Sequence, residues 1–313
     1  MLTTADQYRS FASLEARGES PLYEALALGV AEDPDLLDLL LTLPAPKRQP
    51  NLLFAAARHL TGTPSGYADF RRSVLTHREA IRTTMLARRT QTNEPARCAA
   101  LYPLLASLPQ PLALLEVGAS AGLCLLPDRY AYTYSDGHRT GAPDSPLHLH
   151  CQVAGTPPPH LAKPGPITVA WRAGIDLNPL DVTDPDDVQW LRTLVWPEQH
   201  DRLERLNTAV TLAQADPPHI VRGDLNTHLV DLAAQAPPDA TLVVFHTAVL
   251  YYVPPPDRTT FVNQVRRLDA HWISQEASPS DPLDTAAYVL SLDDHPLAVT
   301  ALHGGHVRWL AAP

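Results

Sequence analysis

The sequence predicts an α/β protein in which a helical N-terminal region precedes a doubly wound, mostly parallel sheet of seven strands. Three observations support this fold. Residues 1–108 carry apolar residues at helical spacing and contain no convincing strand. From residue 109 onward, short apolar runs alternate with helical segments, as in parallel sheets. A turn of small residues directly follows the first of these runs.

The N-terminal region, residues 1–108, is predicted to be a helical domain. Residues 35–41 and 51–57 have helical apolar spacing and begin with Asp and Asn, which cap helix N-termini. Residues 67–89 predict one long amphipathic helix. Another helix is expected over residues 95–107, with a proline near its first turn.

Residues 109–313 are predicted to form the α/β domain, with an insertion near residues 125–165. The first strand, residues 112–117, is an apolar run typical of a strand buried on both faces. The later strands are expected at 167–176, 220–224, 241–249, 271–275, 287–292 and 306–310, the last two as an antiparallel pair. Helices are expected over 184–194, 197–213 and 257–268. The insertion is rich in loops, although three tyrosines at 130, 132 and 134 alternate as in a strand.

Composition and charge narrow the classes of partner. The three cysteines are widely spaced, which argues against a disulfide framework or a zinc ribbon and favours a reducing, cytoplasmic compartment. A formal net charge of −10 argues against nucleic acid and favours a small-molecule substrate. The longest apolar stretch, residues 242–253, is far shorter than the roughly 20 residues of a membrane helix, so no membrane contact is expected. Oligomeric state is not encoded in these features.

The segment Glu116-x-Gly118-x-Ser120-x-Gly122 lies where the first strand ends. Small residues there, Ala119 included, allow a ligand to approach the backbone closely. The N-terminus of a following helix can offer free N–H groups to polar ligand atoms. A tight turn without any ligand is the alternative interpretation.

Two acids are predicted to lie at the ends of later strands. Asp176, followed by Leu177, is placed to accept hydrogen bonds from ribose hydroxyls. It lies well beyond the usual distance of about 20 residues from the glycine turn, so an insertion of roughly 30 residues is implied. Asp224 follows the next strand and could neighbour an adenine ring. Alternatively, Asp176 caps the turn before Pro179 and Asp224 caps a helix.

The fourth strand runs into the segment Phe-His-Thr-Ala-Val-Leu-Tyr-Tyr at residues 245–252. In an open α/β sheet this edge faces the ligand crevice. His246 could act as a base or orient a substrate, and Tyr251 and Tyr252 could line the pocket. A structural histidine with satisfied hydrogen bonds is the alternative for His246.

Four further residues are candidates for substrate binding. Arg129 and Arg172 could hold a carboxylate or phosphate through their planar guanidinium groups. Asn93 and Glu94 could reach the crevice from the helical region. A hydrogen bond or ion pair between the two domains is the alternative for each of the four.

A metal site is not predicted. His148 and His150 would share one face of a strand beside Cys151, but a third ligand is missing. The segment from His303 to His306 is better explained as a turn.

In their order along the chain, these segments resemble the class I S-adenosylmethionine-dependent methyltransferases. More closely, the chain is similar to an uncharacterised bacterial family with a methyltransferase-like domain. The segments that carry this resemblance are residues 92–97, 115–123, 128–130, 172–181, 190–191 and 195–198. The resemblance implies S-adenosylmethionine over residues 118–122, its ribose on Asp176, its adenine near Asp224 and its methyl group towards His246 and Tyr251.

Two other functions remain open. Gly118-x-Ser120-x-Gly122 matches the nucleophile-elbow string of α/β-hydrolases, with Asp224 and then a histidine, His303 or His306, in the right chain order. The helical region before it and the lack of an oxyanion loop count against a hydrolase. Alternatively, the domain binds a ligand or partner without turnover, which is compatible with Ser120 at the position of the family's middle glycine.

Overall fold

The computed structural model describes residues 3–277 and 287–311. Within these ranges the chain forms eleven α-helices and one sheet of eleven strands. None of the described helices is both long enough and apolar enough to pass through a membrane.

The helices and strands are numbered separately in chain order. The helices are α1 Thr4–Phe11, α2 Pro21–Ala31, α3 Pro34–Leu41, α4 Pro50–Thr61, α5 Tyr67–Thr76, α6 Arg78–Ala87, α7 Cys98–Ser107, α8 Pro185–Leu194, α9 His200–Ala215, α10 Leu225–Ala233 and α11 Pro255–Val265. The strands are β1 Leu112–Val117, β2 Ala131–Tyr134, β3 Arg139–Gly141, β4 His148–Ala154, β5 Val169–Asp176, β6 His219–Arg222, β7 Thr241–Thr247, β8 His271–Ala277, β9 Ala287–Leu292, β10 His295–Ala301 and β11 His306–Trp309.

The chain divides into two compact units. The first unit combines Met1–Thr92 with Asp184–Glu204, and the second combines Asn93–Thr183 with Arg205–Pro313. Helix α7 and the entire sheet therefore belong to the second unit. The linear division into residues 1–108 and 109–313 stays a prediction.

The first unit is helical and has an aromatic core around Phe54 on α4. The rings of Tyr8, Tyr23 and Phe70 lie against it with centroids 4.8–6.1 Å away. The single helix predicted over residues 67–89 is wrong, because α5 and α6 are separate. His77 lies between them with ψ of 26°, outside helical values, and no proline or glycine marks the break in the sequence.

The sheet of the second unit has the order β3-β2-β4-β11-β10-β9-β8-β7-β1-β5-β6. Among the described strands, six of the ten neighbouring pairs are parallel, so the predicted mostly parallel α/β sheet is confirmed. The predicted number of seven strands is wrong. Four additional strands come from two regions in which the sequence carries weak signals.

Three of the additional strands lie in the segment predicted as an insertion. β2 and β4 pair in parallel, and β4 pairs with β11, so this segment extends the sheet. In β4 the side chains alternate between exposed and buried, with His148 and His150 exposed and Leu149 and Cys151 buried. The alternation is visible in the sequence at residues 130–134 and 148–151, but the strands are short and the surrounding loop residues favoured an insertion over an extension of the sheet.

The fourth additional strand is β10, which corrects the predicted terminal pair. β9 pairs with β10 and β10 pairs with β11, all antiparallel, so residues 287–292 and 306–310 are not direct neighbours. Asp293 and Asp294 make the two-residue turn between β9 and β10 with φ of 49° and 66°. Such turns usually contain glycine, and its absence here hid the hairpin.

The position of β1 between β5 and β7 identifies the edge of the sheet at which a ligand is expected. After β1 the chain first forms β2, β3 and β4 at the far end of the sheet. It then adds β5 and β6 on one side of β1, and crosses to β7 and β8 on the other side. The direction of winding therefore reverses between β1 and β7. In open α/β sheets, ligands bind beside such a reversal, at the carboxyl ends of the strands.

Candidate functional site

The turn after β1 bends through the left-handed region three times. Gly118, Ser120 and Gly122 have φ of 73°, 52° and 72°. The N–H groups of Gly118 and Ala119 both donate to the carbonyl oxygen of Ile175, over 2.8 and 3.1 Å. Much of the turn's donor capacity is thus used by β5 rather than directed outward.

Side chains of the same unit fill the space beside the two outer glycines. A Cβ atom at Gly118 would overlap Val249 and lie 2.9 Å from its Cγ1. A Cβ atom at Gly122 would lie 2.5 Å from Cγ of Pro218. Ala119 and Ser120 are buried as well. In this conformation the turn packs against side chains of the protein itself, with Val249 beside Gly118 and Pro218 beside Gly122.

Asp176 lies at the end of β5, level with this turn. The register pairs Val117 with Ile175, so the acid follows one residue beyond the pair. Its Oδ2 accepts a 2.8 Å hydrogen bond from Ser120 N, and its Oδ1 accepts one of 2.7 Å from Asn178 N. The neighbouring Leu177 is 57% exposed. Both carboxylate oxygens of Asp176 thus accept backbone hydrogen bonds, one from the turn after β1 and one from the residues that follow β5.

Asp224 follows β6 at the same edge of the sheet and is exposed. Its Oδ1 accepts a 2.8 Å hydrogen bond from Asn226 N and thereby caps α10. The helix-cap role considered for this residue is present, and a contact to adenine stays a prediction.

His246 is fully buried at the end of β7. Its Nδ1 lies 2.6 Å from Oε1 of Glu276, and Trp272 Nε1 donates to its Nε2 over 3.0 Å. Because the indole N–H can only donate, Nε2 is the acceptor and the imidazole proton lies on Nδ1. Both ring nitrogens are occupied by protein partners, which is the arrangement of a structural histidine.

Glu276 connects His246 to the segment that follows β7. Its Oε1 also accepts hydrogen bonds from Val249 N at 2.9 Å and Leu250 N at 3.1 Å. Burial alone would raise the pKa of Glu276, but the hydrogen bonds from His246, Val249 and Leu250 outweigh it and lower that pKa. Three donors on one oxygen make this carboxylate the anchor of the segment.

Tyr251 and Tyr252 lie on the outer side of the same segment. They are 72% and 68% exposed, and their ring centroids are 4.7 Å apart. The structure therefore places Tyr251 at the rim of the edge and His246 beneath it. It does not bring the two predicted catalytic side chains to a common open surface.

Two buried polar groups at the end of β1 have no hydrogen-bond partner within the described residues. They are Oε2 of Glu116 and Oγ of Ser120. Burial raises the pKa of Glu116 well above its ordinary value; Cys124 and Asp176 add to the effect, and Arg97 opposes it. Glu116 is therefore a buried carboxylic acid beneath the turn rather than a surface carboxylate.

The unpartnered Ser120 hydroxyl also bears on the hydrolase hypothesis. A nucleophilic serine needs a base within about 2.6–3.2 Å, or slightly farther before substrate binds. No histidine forms that bond with Ser120 in the part of the chain that the structure describes. In the same part, no three His, Cys, Asp or Glu side chains are grouped so that they could hold a metal ion.

Asn93 and Glu94 contact protein groups within the second unit. Asn93 Oδ1 accepts a 2.8 Å hydrogen bond from Leu123 N, just beyond the turn. Glu94 accepts a bond from Ala96 N and pairs with Arg205 at 2.7 Å. Both residues thus support the surroundings of the turn, and their role in substrate binding stays a prediction.

The two predicted arginines also have protein partners. Arg172 makes a two-pronged ion pair with Asp128, at 3.1 and 3.0 Å, and donates to the carbonyl oxygen of Leu125. Arg129 is half exposed and lies 3.2 Å from Asp216. Only Arg129 keeps a large part of its guanidinium side chain in solvent, so it remains the more accessible of the two for an anion.

Comparison with models of protein families gives a match over nearly the whole chain. A family model described as "Uncharacterized protein conserved in bacteria (DUF2332)" matches residues 5–310. The chain belongs to this family. Searches of curated proteins and of solved structures found no match. Membership of an uncharacterised bacterial family is therefore confirmed. The predicted methyltransferase-like domain stays a prediction.

Sequence reasoning missed three residues that organise this edge: Glu276, Trp272 and Arg97. The first two lie on β8, whose position beside β7 could have drawn attention to a carboxylate at its end. Arg97 is buried and donates to both the carbonyl and the hydroxyl oxygen of Thr247, at 3.1 Å each. Its partner is 150 residues away, a distance across which the sequence carries no pairing signal.

Proposed function

We propose that this chain binds S-adenosylmethionine at the carboxyl ends of β5, β1 and β7 and transfers its methyl group to a small molecule. The observation that carries the proposal is the reversal of winding between β1 and β7, combined with a left-handed turn of small residues at that point. Such crevices are where open α/β sheets hold nucleotide-containing ligands.

The residues around the crevice support an adenosine ligand. Asp176 is level with the turn and has a carboxylate that can accept ribose hydroxyls. Leu177 and Tyr251 are large exposed apolar groups at the same edge of the sheet and could cover the flat faces of a base. Asp224 follows the next strand. The formal charge of −10 favours a small acceptor over a nucleic acid.

The conformation described above is a closed one for this function. Val249 occupies the space next to Gly118, and Ser120 N is bonded to Asp176. Cofactor binding therefore requires the segment after β7 to move away from the turn. Methyl transfer depends mainly on alignment of donor and acceptor and on exclusion of water, so a side-chain base is not essential unless the acceptor must lose a proton.

A second candidate function is ligand or partner binding without turnover. It is favoured by His246, whose two ring nitrogens are occupied by Glu276 and Trp272. Because both nitrogens of this imidazole are bonded to protein groups, the histidine predicted to act in methyl transfer has no path to a substrate in the described conformation. Methyl transfer to an added panel of amines, thiols and phenols, followed by mass spectrometry, distinguishes the two candidates.

Calorimetric titration with S-adenosylmethionine and with S-adenosylhomocysteine tests the proposed cofactor. We expect the wild-type protein to bind both, and Asp176→Asn to weaken binding by about tenfold or more, because a charged acceptor for ribose is lost. Asp136→Asn is the matched control, since Asp136 also caps a turn, through His138 N, but lies between β2 and β3. If the wild-type protein binds neither ligand, or if both variants bind equally, the proposal is wrong.

A further inference from the structure

Residues 248–253, which connect β7 to α11, form a short segment that we call the β7 strap. It begins at Ala248, whose φ of 58° is left-handed although the residue is not glycine. A side chain with a Cβ atom seldom adopts this conformation without support from its surroundings. The strap then turns tightly through Leu250–Tyr252, with Tyr252 N donating to Val249 O.

A small number of contacts hold the strap against the turn after β1. The side chain of Val249 fills the space that a Cβ atom would need at Gly118. The N–H groups of Val249 and Leu250 donate to Oε1 of Glu276, and Ala248 N donates to Gln275 O over 2.8 Å. The anchors therefore lie at the beginning of the strap, and they all engage β8 or the turn.

The two tyrosines of the strap are more exposed than its apolar residues. Tyr251 and Tyr252 are 72% and 68% exposed, whereas Leu250 is buried in the core of the second unit. Exposed segments open locally at a lower free energy than buried strands. β1, in contrast, is buried at all six positions. The strap can therefore open without unfolding the sheet beneath it.

We propose that the β7 strap is a gate over the crevice at the end of β1. In the closed state Val249 is the plug and Glu276 is the latch, and the left-handed bend at Ala248 is the pivot. Opening withdraws Val249 from Gly118 and uncovers the backbone of the turn. That the admitted ligand is S-adenosylmethionine rests on the proposed function, whereas the existence of the gate does not.

The pivot explains why the closed state can be released. When the two bonds to Glu276 break, Ala248 no longer has to keep its left-handed conformation and can relax to an extended one. Glu276 keeps its bond with His246 in the open state, so the buried imidazole is not left without a partner. Opening thus costs two backbone hydrogen bonds, the contact of Val249 with the turn and part of the packing of Leu250 in the core of the second unit.

Hydrogen exchange measured by mass spectrometry tests the gate without any ligand. We expect Val249→Ala to speed exchange of the amides of the strap by about tenfold or more, because the plug is removed, while the amides of β1 stay protected. Val262→Ala is the matched control, since Val262 lies on α11 and, like Val249, is partly buried against the core of the second unit. Equal exchange of the strap in both variants would overturn the gate.

A second variant covers the latch. Glu276→Gln keeps the shape of the side chain but replaces the charged acceptor by a weaker amide oxygen. We expect faster exchange in the strap, with Val249 and Leu250 affected most. Unchanged exchange at these two amides would show that Glu276 does not hold the strap and would contradict the proposal.

A titration of the same variants separates the gate from the cofactor. If both proposals hold, Val249→Ala binds S-adenosylmethionine more tightly than the wild-type protein, since less free energy is spent on opening. Faster strap exchange without binding by any variant would keep the gate and overturn the proposed cofactor. Binding that is the same in all variants, with unchanged exchange, would keep the cofactor and overturn the gate.

Discussion

Glu116 is the residue whose surroundings depart most from those of an ordinary acid. It lies near the end of β1, which is buried at all six positions, and its Oε2 has no partner within the described residues. The ordinary pKa of the side chain is 4.5, and burial raises it well above that value in the folded protein. A buried acid with an unpartnered oxygen costs stability, so the fold gains nothing from Glu116 that an amide or apolar side chain would not give.

Glu116→Gln tests this view through the pH dependence of stability. Between pH 4.5 and the raised pKa, the folded protein holds a proton that the unfolded chain has released, so the stability of the wild-type protein falls as the pH rises through this window. The glutamine variant lacks this contribution. We expect it to gain on the order of 1 kcal/mol over the wild-type protein between pH 5 and pH 8, measured by urea unfolding.

An exposed acid provides the control for that measurement. Glu19 lies on the surface of the first unit. Glu19→Gln should leave the difference in unfolding free energy between pH 5 and pH 8 close to that of the wild-type protein. A glutamine at position 116 that behaves in the same way would show that the Glu116 carboxyl ionises freely.

At the scale of single elements, the ion pair between Arg172 and Asp128 joins β5 to the short helical turn Pro127–Arg129, which precedes β2. Both side chains are mostly buried, at 13% and 15% exposed, and the pairing is two-pronged. Such a geometry gives the arginine a structural role, since a buried carboxylate left without its partner is strongly destabilising. The same bonds leave little of the guanidinium for a substrate.

Arg172→Ala is therefore expected to lower the free energy of unfolding by about 3 kcal/mol. Arg129→Ala, which removes an exposed pair with Asp216 and a longer contact of 3.5 Å with Asp128, should cost less than about 1 kcal/mol. Chemical unfolding of the two variants makes the comparison directly. Similar small losses in both would contradict the structural role of Arg172 and return it to the candidates for substrate binding.

At the scale of the whole second unit, the continuity of the sheet depends on the pairing of β4 with β11, which we call the joint. This parallel pair is the only link, among the described strands, between β2, β3 and β4 and the other eight strands. Gly155 ends β4 there with φ of 72°, and a Cβ atom on it would lie 2.5 Å from the carbonyl oxygen of Trp309. A backbone atom cannot move aside as the tip of a side chain can.

Gly155→Ala should therefore destabilise the protein more than another glycine substitution at similar φ. Gly137 has φ of 87° and open space around its Cβ position, so Gly137→Ala measures the conformational cost alone, roughly 1 kcal/mol. We expect Gly155→Ala to cost about 2 kcal/mol more, because the overlap with Trp309 adds to that conformational cost. Thermal unfolding of both variants checks this, and equal losses would mean that the joint tolerates a side chain.

Local sequence patterns predicted most of the sheet around the candidate site. The apolar run at residues 112–117 and the strand at residues 271–275 lie within β1 and β8 as expected. The patterns did not predict β10, a strand whose signal in the sequence is weak and whose place in the sheet depends on pairing with its neighbouring strands. Pro296 weakens the strand signal of β10, and two aspartates replace the expected glycine in its turn, yet β9 and β11 complete its hydrogen bonds.

By itself, the sequence determined the family, the mostly parallel α/β sheet and the strand ends at which Glu116, Asp176 and His246 lie. These features follow from local composition and apolar period, which each segment carries independently of the others. Only the tertiary structure decided that Val249 sits on Gly118, that Glu276 and Trp272 seal His246, and that Asp176 binds Ser120. Each of these contacts joins groups far apart along the chain, and their meeting depends on packing of the complete sheet rather than on any pattern within a segment.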